Sequence, residues 1–416
     1  MTKKNGFFIC GLTGGPYFPI PAITQNLKQI NPILIGVKNS FESKLTESNN
    51  LPIEFLPIAK LDILTFQSKD LLYILKLLYQ SIKTIFLVIY SFFKSIQLLL
   101  KYQPAIVCST GSFLAVPVIM ATRFTNWLDW TNSLIVVHQQ DPQPGLANKL
   151  TIKAADISSC VFEYTKQKFP KFKNCQVIPN PILSQNYNPT SNLKNRHLEL
   201  FINRIDLNNE YHQNLHQTKA KEIPANLKIL HAVTNLQTNS TNVIFETKPL
   251  FLIFGGGSGA TQINIWVKNN FEILTQKFRI IHLTGTINSQ TTNQQNLDYY
   301  QTEAIFEDMP KVLARVDVVL CRAGLGSISE LLFIQSQSKQ ISFLVPLNGS
   351  HQELNAELVK DRFTILDNQN QDSWLEKIIQ ITESKKKNIQ VAKINFDKDS
   401  LDKYYAKLNY EINRLY

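Results

Sequence analysis

Twice in this chain a short, unbroken run of apolar residues ends in a glycine-rich turn. Phe7-Phe8-Ile9-Cys10 runs into Gly11-Leu12-Thr13-Gly14-Gly15, and Leu250-Phe251-Leu252-Ile253-Phe254 runs into Gly255-Gly256-Gly257-Ser258-Gly259-Ala260. An apolar run without polar alternation is a strand covered on both faces, the state of strands in parallel sheets. Similar runs follow each one: Ala105-Ile106-Val107-Cys108, Leu134-Ile135-Val136-Val137 and Gln176-Val177-Ile178 after the first, and Ile280-Ile281-His282-Leu283, Asp317-Val318-Val319-Leu320 and Ser342-Phe343-Leu344-Val345 after the second. Strands alternating with helical stretches make an open α/β sheet, so the pattern predicts two Rossmann-like doubly wound domains with a cleft between them. The expected boundaries are 1–183, a polar insertion or linker at 184–248, and 249–416, with the last helix able to pack back on the first domain.

At 416 residues the chain has ample length for two cores. Its net charge of +11 suits an anionic partner, whether nucleic acid, anionic lipid or a phosphate-bearing substrate. No basic motif interleaved with aromatics is present, and Lys385-Lys386-Lys387 reads as a solvated run, so nucleic acid is not expected. Cys10, Cys108, Cys160, Cys175 and Cys321 are odd in number and include no CxxC, which supports neither a disulfide framework nor a thiolate zinc site. The simplest compartment is a reducing one, and the N-terminus turns glycine-rich too early for a secretory apolar region. The insertion carries His197, His212, His216 and His231. His212 and His216 could share a helix face and bind a metal, but with no cysteine nearby a solvated, partly disordered insertion is the favoured reading.

Residues 71–103 are the most apolar stretch. Their longest lysine-free run, Thr84–Phe93, falls short of the roughly 18 to 20 uncharged residues of a spanning helix, so a transmembrane anchor is not expected. At 100° per residue Lys76, Lys83, Lys94 and Lys101 fall within about 20° of one another. One reading is a packing helix with a solvated edge. The other is a helix or helical hairpin in the membrane interface with its lysines toward anionic headgroups, and the apolar excess favours this second reading.

A strand, a glycine turn and a helix present backbone N–H groups and a positive helix end to a phosphate. Neither glycine loop is a GxGxxG or Walker motif, and each alone could be a tight turn. A third loop, Cys321-Arg322-Ala323-Gly324-Leu325-Gly326-Ser327-Ile328-Ser329-Glu330, ends a strand and opens a helix. Read structurally, Ser327 and Glu330 form an S-x-x-E capping box. Read functionally, the helix start holds a diphosphate and the carboxylate accepts hydrogen bonds from ribose hydroxyls.

These blocks, together with Phe18-Pro19, Ser109-Thr110-Gly111, His138-Gln139-Gln140-Asp141, Gly145-Leu146-Ala147-Asn148-Lys149, Asn180-Pro181, Glu307-Asp308-Met309 and His351-Gln352-Glu353-Leu354-Asn355-Ala356, occur in the order seen in the MurG family. The chain resembles that family over nearly its whole length outside 184–248. The resemblance implies a GT-B glycosyltransferase fold and an inverting transfer of GlcNAc from UDP-GlcNAc to the muramoyl C4 hydroxyl of lipid I, giving lipid II for peptidoglycan. It implies a lipid-linked muramoyl-peptide acceptor, an anionic membrane surface as partner, and a peripheral place on the cytoplasmic face of the membrane.

Carried over by position, Glu330 would hold the ribose, Gly324 and Ser327 the diphosphate, and Phe306 the uracil through its backbone. Gly257, Ser258, Arg322, Gln352 and Asn355 would complete the donor site. Thr13, Gly14, Gly15 and Asn148 would face the acceptor or the diphosphate. No cofactor is implied, and without a metal triad the phosphate charge would be met by helix ends and backbone amides.

The chain departs from the family at several positions. Pro16 follows Gly14-Gly15 where the family has histidine, Gln139 and Asp141 replace the Glu and Asn of His-Glu-Gln-Asn, and Leu183 stands where an arginine is usual. A single-step displacement needs one general base near the attacking hydroxyl, and Asp141, or else His138, is the candidate. His138 could equally be a buried strand-end histidine satisfied by the backbone. The acceptor-side changes leave two alternatives open: a related transferase acting on diacylglycerol or another membrane lipid, and a catalytically silent GT-B binding protein.

Overall fold

The computed structural model describes residues 3–11, 15–38, 51–57, 71–203, 248–256, 259–285, 296–305, 307–387 and 397–415. The chain divides into two units, Met1–Leu183 with Phe396–Tyr416, and Ser184–Asn395. In the first, β1 (Lys4–Ile9), β2 (Ile30–Gly36), β3 (Ile53–Phe55), β4 (Ile106–Ser109), β5 (Leu134–Gln139), β6 (Ile157–Cys160) and β7 (Gln176–Val177) form a parallel sheet in the order β3-β2-β1-β4-β5-β6-β7. In the second, β8 (Leu250–Phe254), β9 (Arg279–Leu283), β10 (Tyr299–Thr302), β11 (Val318–Arg322), β12 (Ile341–Val345) and β13 (Thr364–Ile365) form a parallel sheet in the order β10-β9-β8-β11-β12-β13. Both orders reverse direction beside the first strand, as in doubly wound sheets.

Each apolar run read as a strand lies in one of these sheets, and their two-sided burial explains the unbroken hydrophobicity. Phe7 and Ile9 of β1 point into one core with Val107, Ile135 and Val137, while Phe8 and Cys10 point into another with Ile106, Cys108 and Val136. The second core is closed by the C-terminal helix Lys398–Arg414, whose Leu401, Tyr404, Tyr405, Leu408 and Ile412 recur at helical spacing and are buried there. Asp397 caps that helix by accepting from Ser400 N at 3.0 Å.

The last helix groups with the first unit, as the sequence reading allowed, and residues 184–203 group with the second. The Asp308 carboxylate accepts from Lys194 N and Asn195 N, both at 2.8 Å, just before the helix Arg196–Asn203. Arg315 pairs with Glu199 on that helix at 3.0 Å. Residues 204–247, with His212, His216 and His231, lie outside the described residues.

Leu71–Tyr102 is one continuous helix, not a hairpin. By length and hydropathy alone Ile82–Tyr102 could cross a membrane. One side of it is nevertheless part of the first unit's fold: Ser91 and Ser95 are buried, Leu98 and Leu99 enter the core, and Ser91 Oγ donates to Pro57 O at 2.5 Å. The lysine stripe is also placed differently from the expectation. Lys94 Nζ donates to Phe55 O at 3.1 Å and Lys101 pairs with Glu54 at 3.4 Å, so these two cations are engaged with the β3 segment rather than aimed at headgroups. What the helix offers outward is Ile82, Ile85, Phe86, Ile89 and Phe93, each more than half exposed. The helix Ala115–Trp127 packs beside it and extends this surface through Phe124, whose ring centroid lies 6.0 Å from that of Phe92, 6.3 Å from Trp127 and 6.1 Å from Trp130. Trp127 is 75% exposed.

Leu408→Ala opens a cavity under β1 and β4 and is expected to destabilise the first unit by about 2–5 kcal/mol. In a denaturant titration its transition should move to lower concentration while that of the second unit stays in place.

Candidate functional site

The second sheet delivers three loops to its C-terminal edge, where open α/β sheets bind ligands. After β8 the chain turns through the glycine loop. Gly256 (φ +97°) and Gly259 (φ +88°) occupy backbone that L side chains rarely adopt, and a Cβ on Gly259 would lie 2.2 Å from Thr284 O. After β11 the chain passes through Ala323-Gly324 into the helix Leu325–Gln335. After β12 it reaches the short helix His351–Glu357, capped by Ser350.

The helix Leu325–Gln335 begins one turn earlier than the capping-box reading supposed. Gly324 is its N-cap, in extended backbone with no side-chain cap, so Ser327 sits at the third helical position and Glu330 at the sixth. Ile328 N makes the first bond back, to Gly324 O, which leaves the amides of Leu325, Gly326 and Ser327 without intrahelical partners. Gly324 has open space where a Cβ would be, and Gly326 and Ser327 are half-buried. Such a helix start accepts an anion through backbone N–H groups and the helix dipole.

The other donor-side candidates divide by burial. Asn355 is fully buried and its Nδ2 donates to Ala323 O at 3.1 Å, so it props the Ala323-Gly324 turn from within. Arg322 donates to Val345 O at 3.3 Å, Asn368 Oδ1 at 3.1 Å and Gln262 Oε1 at 3.3 Å, tying the ends of β11 and β12 to the helix Thr261–Asn269. Gln352 is half-buried, and its Oε1 accepts from Leu347 N at 3.1 Å. Glu330 is buried, and burial raises its pKa to about 7 against the opposing effect of a hydrogen bond from the Tyr187 hydroxyl at 2.6 Å.

In the first unit, the C-terminal ends of β4, β5 and β6 meet in a buried polar network. His138 is 1% exposed, with Nδ1 2.9 Å from Ser159 Oγ and Nε2 3.1 Å from Asn180 Oδ1. Asn180 Nδ2 reaches Gln140 Oε1 at 3.4 Å, and Gln140 Nε2 donates to Thr110 O at 2.9 Å and Gly15 O at 3.1 Å. With the Asn180 carbonyl oxygen facing Nε2, the imidazole carries its proton there and turns Nδ1 toward the Ser159 hydroxyl. Burial lowers the His138 pKa to about 4, with the Asn180 contact opposing. His138 is thus a buried strand-end histidine whose two ring nitrogens are both engaged by side chains.

Gln139 is equally committed: its Nε2 donates to Asp141 O at 2.6 Å and its Oε1 accepts from Asn148 Nδ2 at 2.5 Å. A carboxylate at position 139 could not make the first of these bonds. Asn148 is 2% exposed, and its Nδ2 also lies 3.4 Å from His138 O, which braces the end of β5. Asp141 is half-buried, and its carboxylate has no hydrogen-bond or ion-pair partner among the described residues. Gly15 is exposed and its carbonyl anchors Gln140.

Thr13, Gly14, Gly257, Ser258 and Phe306 lie outside the described residues. Among the described residues no group of three or more His, Cys, Asp or Glu could hold a metal ion. Sequence reasoning missed Ser159, Tyr404 and Tyr187. Two serines inside an otherwise apolar strand, Ile157-Ser158-Ser159-Cys160, were the available signal for a buried polar partner. Tyr187 stood as a lone aromatic in an Asn-rich stretch and carried no periodic signal.

The His138 ring is expected to remain the neutral Nε2–H tautomer from pH 8 to pH 5 in histidine-labelled NMR spectra. With a folded pKa of about 4 below the ordinary 6.5, its stabilising contribution is present above pH 6.5 and is lost as pH falls through 4.

Comparison with known proteins gives these sites a family. Residues 7–157 match the glycosyltransferase family 28 N-terminal domain and residues 250–404 match the glycosyltransferase family 28 C-terminal domain. The chain is 27% identical over 412 residues to the UDP-N-acetylglucosamine–N-acetylmuramyl-(pentapeptide) pyrophosphoryl-undecaprenol N-acetylglucosamine transferase of Borreliella afzelii, covering 95% of this chain and 93% of that protein. It is 26% identical over 303 residues to the protein of the same name from Staphylococcus aureus, covering 73% of this chain and 68% of that one. Its fold is similar to that of the crystal structure of Acinetobacter baumannii MurG, with a TM-score of 0.55 at 18% identity over 98% of this chain and 95% of the other. The two parallel-sheet units thus have the GT-B fold, and the chain belongs to glycosyltransferase family 28.

Proposed function

We propose that this chain transfers GlcNAc from UDP-GlcNAc to the C4 hydroxyl of the muramoyl sugar on lipid I, forming lipid II with inversion at the anomeric carbon. The observation that carries the reading is the start of the helix Leu325–Gln335, with three backbone amides free of intrahelical partners and a buried carboxylate farther along the same helix. Similarity along almost the full length to a transferase of that name supports the same substrate pair.

In this reading the amides at 325–327 hold the diphosphate and Glu330 accepts from the ribose hydroxyls. Arg322 and Asn355 act indirectly, by fixing the loops that carry those groups. The C4 oxygen attacks the anomeric carbon, the bond to the diphosphate oxygen breaks, and UDP leaves with the bonding pair. The hydroxyl proton passes to Asp141. The helix start stabilises the charge that develops on the departing diphosphate. No side chain at position 141 other than a base can perform its part, so the proton transfer depends on the residue by which this chain departs from the family.

The exposed apolar face of the Leu71–Tyr102 and Ala115–Trp127 helices supports a peripheral site on the cytoplasmic face of the membrane. Trp127 and Trp130 suit the headgroup boundary and the aliphatic side chains suit the acyl region. The net charge of +11 adds long-range attraction to anionic lipid.

Transfer of radiolabelled GlcNAc to a short-chain lipid I analogue, with diacylglycerol offered in parallel, tests the activity. Product on the lipid I analogue is expected; product on diacylglycerol alone would reassign the acceptor, and UDP-GlcNAc binding without product would make the chain a silent binder. Asp141→Asn is expected to lower kcat roughly 10²–10⁴-fold with little change in KM for UDP-GlcNAc. Full turnover by that variant would place the base elsewhere. Replacing Phe86 and Trp127 together by Glu should abolish sedimentation with phosphatidylcholine/phosphatidylglycerol vesicles while UDP-GlcNAc binding is kept. A wild-type chain that stays in the supernatant would refute the membrane assignment.

A further inference from the structure

The buried carboxylate of the donor site has a partner that the family resemblance does not supply. Tyr187 follows the single turn Ser184–Asn186 and is itself buried at 6% exposure. Its hydroxyl donates to Glu330 Oε1 at 2.6 Å, and its ring meets Phe333 edge-on with centroids 5.2 Å apart. Glu330 and Phe333 are three residues apart on one helix and therefore neighbours on its surface. The tyrosine is thus held at two points, ring and hydroxyl, against the part of the helix that carries the carboxylate.

We propose that Tyr187 is a positioning residue for nucleotide recognition: by holding Glu330 Oε1 it fixes the carboxylate so that Oε2 is presented to the ribose hydroxyls of the donor. This rests on the donor-site reading above. Oε2 makes no hydrogen bond among the described residues.

The charge environment explains why a donor is needed there. No lysine or arginine among the described residues pairs with Glu330. The titratable groups facing it are the Tyr187 hydroxyl and the Cys321 thiol at the end of β11, and burial followed by the Glu330 charge pushes that thiol pKa up, keeping it neutral. Charged groups of the neighbouring segments have partners of their own: Lys311 lies 3.9 Å from Asp308, and Arg315 pairs with Glu199. Tyr187 stays protonated, since burial and then the Glu330 charge raise its pKa well above the usual value. Its hydroxyl is the one group opposing the upward effect of burial on Glu330. A protonated carboxyl loses acceptor capacity and gains a donor, so it cannot receive both ribose hydroxyls as a carboxylate can.

The test is calorimetric titration of the full chain with UDP and with 2′,3′-dideoxy-UDP from pH 6 to pH 9. Wild type should lose UDP affinity as pH falls through about 7, where Glu330 protonates, and should bind the dideoxy nucleotide weakly and without that pH dependence. Tyr187→Phe should move the UDP midpoint to higher pH and weaken binding at pH 7 roughly tenfold, the scale of one hydrogen bond to a charged group. In a Glu330→Gln background the same change should add nothing. Fluorotyrosine at position 187, a stronger donor of nearly the same shape, should move the midpoint the other way, and it serves as the test should Tyr187→Phe fail to fold. A Tyr187→Phe or fluorotyrosine protein with the wild-type midpoint and affinity would overturn the proposal. Equal binding of UDP and its dideoxy analogue by wild type would instead overturn the ribose role of Glu330, and with it any role of Tyr187 in nucleotide recognition.

Discussion

A parallel sheet exposes apolar side chains on both faces, and covering the second face is the requirement on which the rest of this molecule depends. In the first unit one face of β1, β4 and β5 is covered by the long helix and its neighbour. The other is covered in part by a helix from the far end of the chain, with Tyr404 and Leu408 set into the core beneath Phe8 and Ile106. The chain must therefore leave the first unit, build the second and come back. That return also brings the Tyr404 hydroxyl to within 3.2 Å of Ser159 Oγ, the group that partners His138.

Burial at the strand ends then decides what each polar residue can do. Groups that share a motif in sequence separate into those that hold loops and those that face outward. His138 faces the Asn180 side chain, Asn148 donates to Gln139, and Gln139 and Asn355 donate to backbone carbonyls, so these side chains are tied into the fold. Asp141 and the 324–327 turn are left at the surface of these networks.

The long helix shows the same division. Its lysines form one stripe in the helical projection, yet Lys94 and Lys101 are drawn to Phe55 O and Glu54 because the β3 segment runs along that side. The face turned outward is aliphatic and aromatic. A charge pattern on a helical wheel gives the angle of a stripe but not what stands opposite it.

Much of the architecture was legible from local sequence. Unbroken apolar runs such as Phe7–Cys10 and Leu250–Phe254, each ending in glycine, identify central parallel strands because only burial on both faces tolerates such runs. Less legible were β2, where Asn31-Pro32 reads as a turn although Pro32 lies opposite Gly6 in the sheet, and β3 and β13, which are too short to carry a pattern. Of the candidate site, the sequence by itself determined the glycine turns, the helix start at 324–327 and the presence of Glu330, all of which depend on backbone conformation over a few adjacent residues. Only the tertiary structure decided that Ser327 is not the cap, that His138 is sealed between Ser159 and Asn180, and that Tyr187 holds Glu330 from 143 positions away. Those outcomes depend on burial and on partners distant along the chain, and neither is encoded in the spacing of neighbouring residues.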